Sequence, residues 1–379
     1  MLISAARFLF FSFLLASTLL MPAMLRANMA NPVQAGDIIG EPSGMLDSIA
    51  VRQEHLAIDL TPIGTGERYG WVTAEYTIVN NGAERTLPLV FLPGAIEVRY
   101  STDGNGARDT TFTIEITIDG RPVQVAGAFA EADSLPLQWR VPASTPGLNN
   151  GDSISYETHN EGVIRFTLPI PSGQHLVRVR YRAEPTANSW NRTTKLWQFA
   201  YILAPARQWD QFGTLQATVT LPAGWESAIT PAMTLSGNQW SGSWQGIPSD
   251  AIAISFAMPT PSWLAYVEHG LPIAAVLVGI TLCWMVGKRT GRWLARTNRT
   301  PGWSIPFALL AGGAWALLVL GAELLSGSIV RDALGNQIAR GYGYGLAIVL
   351  MLIYMPGAFL VGTLLTVVAA YRGNKSEAK

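Results

Sequence analysis

The chain has 379 residues, 49% apolar and 14% charged, with 26 basic and 26 acidic side chains in balance. That balance argues against a disordered chain and against a strongly basic nucleic-acid binder, and the length provides for two or three units. The average conceals a division. Sequence before about residue 262 is polar and rich in two-residue alternation behind an apolar N-terminal run, whereas sequence after it is dominated by long apolar stretches.

At the N-terminus Arg7 precedes an apolar run from Phe8 to Leu20, followed by Pro22 and small residues. This is the layout of a secretory signal, so a signal peptide is expected over residues 1–30, with cleavage after Ala27, Ala30 or Ala35. A retained run from Phe8 to Leu25 just reaches the length of a membrane anchor. Either outcome exports the downstream chain. The single cysteine, Cys283, lies far from this end, so the exported part has no disulfide, Cys-based zinc site or Cys nucleophile to call on and needs an ordinary core. That chemistry is more usual of bacterial exported proteins.

Residues 45–262 read as strands. In "VTAEYTIVNNG" Val72, Ala74, Tyr76 and Ile78 share one face ahead of an Asn-Asn-Gly turn. In "TFTIEITI" Phe112, Ile114, Ile116 and Ile118 do the same, and in "GTLQATVTL" so do Leu215, Ala217, Val219 and Leu221. Further strands are expected near 51–60, 87–92, 121–126, 135–141, 163–168, 175–183, 196–203, 239–245 and 251–257. About a dozen short strands without a convincing helix predict an all-β antiparallel sandwich. It divides into lobes 45–185 and 186–262 at the turn-rich "EPTANSWNR", or runs as one sandwich over 45–262. The aromatic row Trp197, Phe199 and Tyr201, and the pair Trp240 and Trp244, are read as buried faces, since each ring removes roughly 150–250 Å² from water. Trp209 and Trp225, placed at turns, are left for the rim or for the membrane-proximal segment.

Site signals are sparse. His55, His159, His175 and His269 form no metal-ligating pattern, and there is no nucleophile elbow or phosphate-binding glycine loop. Asp103, Asn105 and Asp109 in "STDGNGARD" have a spacing compatible with calcium, although Asp-Gly and Asn-Gly are ordinary hairpin chemistry. The best surface candidate is "HLVRVRYRAE", where Arg178, Arg180 and Arg182 line one face of a strand opposite Val177, Val179 and Tyr181. Such a row of guanidiniums calls for carboxylates on a neighbouring strand, with Glu75, Glu115 and Glu161 as candidates, or for an anionic envelope polymer or lipid headgroup.

Three apolar spans occupy the C-terminal part, at 270–287, 303–325 and 344–370, each long enough to cross the hydrocarbon. The loop 288–302 carries Lys288, Arg289, Arg292, Arg296 and Arg299 without an acid, and the tail 371–379 adds Arg372, Lys375 and Lys379. The loop 326–343 has only Arg331 and Arg340 against Asp332. The positive-inside rule therefore puts the first loop and the tail in the cytoplasm. Ala308, Gly312 and Ala316 form a small-residue ridge for helix packing, within the chain or against a partner. Glu323 is the acid inside a span, within reach of water or Arg331, and an intramembrane carboxylate is a functional hypothesis by default.

These features predict a multi-pass bacterial plasma-membrane protein with an exported β-sandwich used for binding, sensing or assembly, without enzymatic activity or cofactor. Its expected partners are the lipid bilayer, other membrane proteins and an anionic envelope polymer or headgroup, not nucleic acid. One alternative is an accessory subunit of a transport or export complex. Another is a cell-envelope hydrolase working through carboxylates in a deep acidic cleft.

Overall fold

The computed structural model describes residues 39–40, 48–91, 98–102, 108–127, 142–148, 152–156, 164–189, 193–209, 211–339 and 343–377. The expected signal peptide, the strand at 135–141, Glu161, and the turn residues Asp103 and Asn105 lie outside these.

The strands are β1 (Ile39–Gly40), β2 (Ile49–Asp59), β3 (Gly70–Asn80), β4 (Arg85–Phe91), β5 (Val98–Thr102), β6 (Arg108–Phe112) and β7 (Ile114–Ile118). They continue with β8 (Arg121–Pro122), β9 (Val125–Gly127), β10 (Ser144–Pro146), β11 (Ser153–Ser155), β12 (Ile164–Ile170) and β13 (Gly173–Ala183). The last are β14 (Thr186–Asn188), β15 (Leu196–Ile202), β16 (Gln211–Thr220), β17 (Glu226–Thr230), β18 (Thr234–Ser236), β19 (Gln239–Gln245) and β20 (Ala251–Ala257). A short helix α1 (Ser262–Ala265) leads through a π turn at 266–270 into α2 (Leu271–Thr297). Then come α3 (Ser304–Leu334) and α4 (Gly343–Glu377).

The principal sheet has eight strands in the order β18-β19-β16-β2-β3-β13-β7-β8, all neighbours antiparallel except β16 and β2, which run parallel. This pairing joins Gln211–Thr220 to Ala50–Asp59, so one sheet crosses the division at residue 185. Two four-stranded sheets, β14-β15-β20-β17 and β1-β4-β12-β9, contribute to the same core. Leu168, Tyr181, Phe199, Val219 and Phe256, drawn from all three sheets, belong to one buried cluster.

Alternation explains most of this core. Along β3 every second residue from Gly70 to Asn80 is buried, including Val72, Ala74, Tyr76 and Ile78. Leu215, Ala217, Val219 and Leu221 are buried as their pattern requires. "TFTIEITI" is broken at Thr113. Its first part pairs with β5 in a separate hairpin, while Ile116 and Ile118 enter the main core and Ile114 is half-buried. Strand β15 is buried on both faces. Trp197, Phe199 and Tyr201 join the main core, and on the other face the Gln198 amide donates to Thr145 Oγ1 (2.6 Å) and to the Ser155 carbonyl (3.0 Å). Trp240 and Trp244 are partly buried against the core, the Trp244 ring lying over Gly242. Trp209 is buried and Trp225 packs against Phe256 with ring centroids 5.9 Å apart, so both belong to the core and not to a rim.

Helices α2 and α3 lie in segments long and apolar enough to cross a membrane, and α4 contains a third, Tyr354–Lys375. At ~1.5 Å per residue α3 is about 46 Å long, more than the ~30 Å hydrocarbon core requires. Glycine sets their close approach. A Cβ added at Gly279 would enter the Trp315 indole, one at Gly287 would meet the Thr366 carbonyl, and one at Gly291 the Ala370 carbonyl.

Candidate functional site

The strongest feature of the β region is a carboxyl group in its core. In β2 the register against β3 shifts between Val51 and Gln53, a bulge that leaves Arg52 exposed and turns Glu54, Leu56 and Ile58 inward. Gly213 of β16 lies against the bulge, where an added Cβ would strike the Arg52 carbonyl oxygen. Glu54 is 1% exposed. Tyr201 Oη donates to its Oε1 at 3.2 Å, and Tyr76 Oη lies 2.9 Å from Tyr201 Oη. The carboxyl thus ends a chain of two phenols from β3 and β15.

Burial disfavours the ionised form and pushes the Glu54 carboxyl up to about 7, outweighing the hydrogen bonds from Tyr201 and Tyr76, which act to lower it. Burial likewise holds the Tyr201 phenol well above its ordinary range, with Tyr76 and Glu54 adding to the effect. Beside the carboxyl is a cavity of about 10 Å³ lined by Tyr76, Tyr201, Leu203, Ala206 and Trp209. That is room for about one water. The group can store or release a proton near neutrality, and this cavity does not admit a substrate.

Arg178, Arg180 and Arg182 do stand in a row on β13, and the row is occupied by its neighbours. Arg178 Nε is 3.3 Å from Glu75 Oε1 on β3, its cross-strand partner. Arg180 faces Glu115 in the β7 register and lies 4.2 Å over the Trp71 ring. Arg182 lies 4.3 Å over Tyr69 and 5.1 Å over Trp71. Of the calcium-spaced residues, Asp109 lies in β6 opposite Ser101, and no metal-ligating cluster occurs among the described residues. Ala308, Gly312 and Ala316 are buried, and Gly312 meets Phe359 and Thr363 of α4, so the ridge packs within the chain. Glu323 is on an exposed face of α3 near Glu268 and His269.

A second buried polar feature joins the helices to the β region. Gln337, three residues past α3, is 3% exposed. Its Oε1 accepts from Trp197 Nε1 at 2.8 Å and its Nε2 donates to the Ile63 carbonyl at 2.9 Å. The backbone alongside it is strand-like: Lys195 N donates to the Gln337 carbonyl, Ala339 N donates to the Thr193 carbonyl, and Thr194 bridges to Ile338. Leu264, Val330 and Leu334 pack beneath as a small apolar cluster.

Neither Glu54 nor Gln337 was singled out from sequence. For Glu54 a signal exists, because the alternation Leu56, Ile58, Leu60 extends backwards onto it. For Gln337 there is none, since "GNQIAR" reads as an ordinary loop.

No family model and no curated protein matches the chain. Among solved structures it is similar to a Legionella pneumophila protein provisionally named for nutrient binding (13% identity, TM-score 0.39, covering 65% of this chain and 77% of that one). It is also similar to an M1 zinc metallopeptidase from Deinococcus radiodurans (12%, 0.26, covering 57% and 43%). A third is native leukotriene A4 hydrolase from Saccharomyces cerevisiae (12%, 0.31, covering 58% and 31%). The chain therefore spans less than half of either hydrolytic enzyme. Likeness at these scores assigns this chain neither a fold family nor an activity.

Proposed function

We propose that the chain is a multi-pass bacterial plasma-membrane protein whose β region is an extracytoplasmic sandwich used for binding, sensing or assembly. The observation that carries this reading is where the helices meet the β region. Ser262 comes after β20 by a short connection and residues 337–339 pair with 193–195, so the start of α2 and the end of α3 lie at the β region. The basic segment from Lys288 to Arg299, expected as a loop, instead forms the last turns of α2 as far as Thr297, and it is at the opposite ends of those helices. A charge asymmetry of this kind supports a cytoplasmic loop and an external β region.

Exposed aromatic residues support the same placement. Trp263 and Tyr266 are near the β region, while Trp293 lies within the basic segment and Trp303 just beyond it. Tyr266 and Trp293 are about 40 Å apart along the helix at ~1.5 Å per residue, close to the ~40–45 Å of a bilayer with its headgroups. The buried contact of Gln337 favours a sensing or assembly role, because it makes the β region and the helix ends one compact unit instead of a tethered pair.

Fusions to a reporter active only in the cytoplasm test the placement. Activity is expected after Arg296 and after Lys375, and silence after Gly237 and Gly335. Activity at Gly237 overturns the reading.

A further inference from the structure

The cytoplasmic ends of α2 and α4 bring two cations to one indole. Lys288 Nζ of α2 lies 5.5 Å, and the Arg372 guanidinium of α4 5.7 Å, from the centroid of the Trp284 ring. The backbones are almost in contact here: Cβ atoms added at Gly291 and Gly373 would meet the Ala370 and Lys288 carbonyls. Two long basic side chains cannot lie between helices packed so closely, and both are exposed, flanking Trp284 along the outside of the α2–α4 seam.

Among the described residues no carboxylate is paired with Lys288 or Arg372. The sequence has no Asp or Glu between Glu268 and Glu323, and after Asp332 the next is Glu377. Arg299 makes an instructive contrast, since it is held by two rings, Trp293 at 5.5 Å and Trp303 at 4.8 Å. At Trp284 the ratio is reversed, with two cations sharing one ring. Trp284 lies about 13 Å inside Trp293 at ~1.5 Å per residue, and long basic side chains anchored at that depth reach outward to the phosphate level of a bilayer.

We propose that Trp284, Lys288 and Arg372 form a binding site for the phosphate of an anionic phospholipid in the inner leaflet. The two cations contact the headgroup oxygens, and the indole and adjoining apolar helix surface receive the glycerol and first acyl carbons. This inference rests on the membrane reading above and goes beyond it by naming a ligand and its residues.

The test uses the full-length chain in nanodiscs of phosphatidylethanolamine with a minor fraction of phosphatidylglycerol. Retained lipids are counted by native mass spectrometry after transfer to mild detergent. Phosphatidylglycerol is expected to be retained preferentially. The Lys288→Gln/Arg372→Gln variant should bind it about 30-fold less tightly, from a factor of roughly five for each basic residue at the surface. The Arg289→Gln/Arg296→Gln variant, which removes two charges from the same end of α2 without touching the Trp284 ring, should lose markedly less.

Equal losses in the two variants would mean diffuse attraction and overturn the site, as would unchanged retention in the first. Inorganic phosphate stabilising the detergent-solubilised chain as much as short-chain phosphatidylglycerol does would make this a free-anion site and overturn the lipid assignment. Failure to enter nanodiscs of any composition would instead overturn the membrane reading, and the site with it. Circular dichroism of both variants establishes that the helices are intact.

Discussion

Replacing Glu54 by Gln should remove a pH dependence built into the core. Burial raises this carboxyl from 4.5 to about 7 in the folded chain. Between those values the folded state holds a proton that the unfolded state has released, so stability falls as pH rises. The contribution is fully present below about 4.5, is lost through about 7, and is flat beyond. A shift of that size corresponds to at most about 3–4 kcal/mol at ~1.4 kcal/mol per unit.

Gln cannot ionise and retains an oxygen for the Tyr201 hydroxyl. Wild type should therefore lose roughly 2–3 kcal/mol between pH 5 and pH 8, while Glu54→Gln stays nearly level and is the more stable form at pH 8. For a region of this size the difference is about 5–10 °C in melting temperature. Full-length chain in a neutral detergent, unfolded at a series of pH values and monitored by tryptophan emission, gives the comparison. Asp119 works in the opposite sense, its carboxyl held low by the hydrogen bond to His175, but it is exposed and identical in both proteins. Parallel pH profiles for wild type and variant would refute the assignment of a proton to the buried carboxyl.

The geometry dictates two further outcomes. Gln337→Ala leaves the Trp197 indole N–H and the Ile63 carbonyl buried without this partner, a loss of roughly 2–4 kcal/mol; melting should fall and limited proteolysis between Ala257 and Ser262 should quicken, and an unchanged cleavage rate would show that the contact does not hold the two parts together. Changing Arg178, Arg180 and Arg182 together to Gln should cost about 1–2 kcal/mol, because each already has a carboxylate or ring neighbour worth up to ~1 kcal/mol; loss of retention on an anionic polymer with no change in melting would put ligand binding ahead of that structural role.

The elements that were legible in the sequence are those whose pattern depends on one strand or one helix. Val72 to Ile78 and Leu215 to Leu221 announce their buried faces because a sheet with one wet side repeats every two residues. The three apolar helices were legible because their composition alone requires an apolar environment. Their full lengths were not. Hydropathy stops at Leu325, but α3 continues to Leu334, where Val330 and Leu334 are covered by Leu264 of α1, more than sixty residues earlier in the chain. The same limit hid the second buried face of β15, which depends on Thr145 and Ser155 arriving from far away in the chain.

The buried carboxyl shows why a local reading fails at an irregularity in a strand. Counting by two from Ile49 or Val51 sends Gln53 and His55 inward, whereas counting back from Leu60 sends Glu54 inward, and the two series conflict within one strand. A bulge at Arg52 satisfies both, yet it requires a neighbour without a side chain, and that neighbour is Gly213 on a parallel strand about 160 residues away. Burying a carboxyl costs free energy that an apolar side chain would not, and the bulge lets Glu54 sit in the core without displacing Leu56 or Ile58 from it. The strand is thus arranged around a group that burial makes costly to ionise and that weakens the fold at neutral pH.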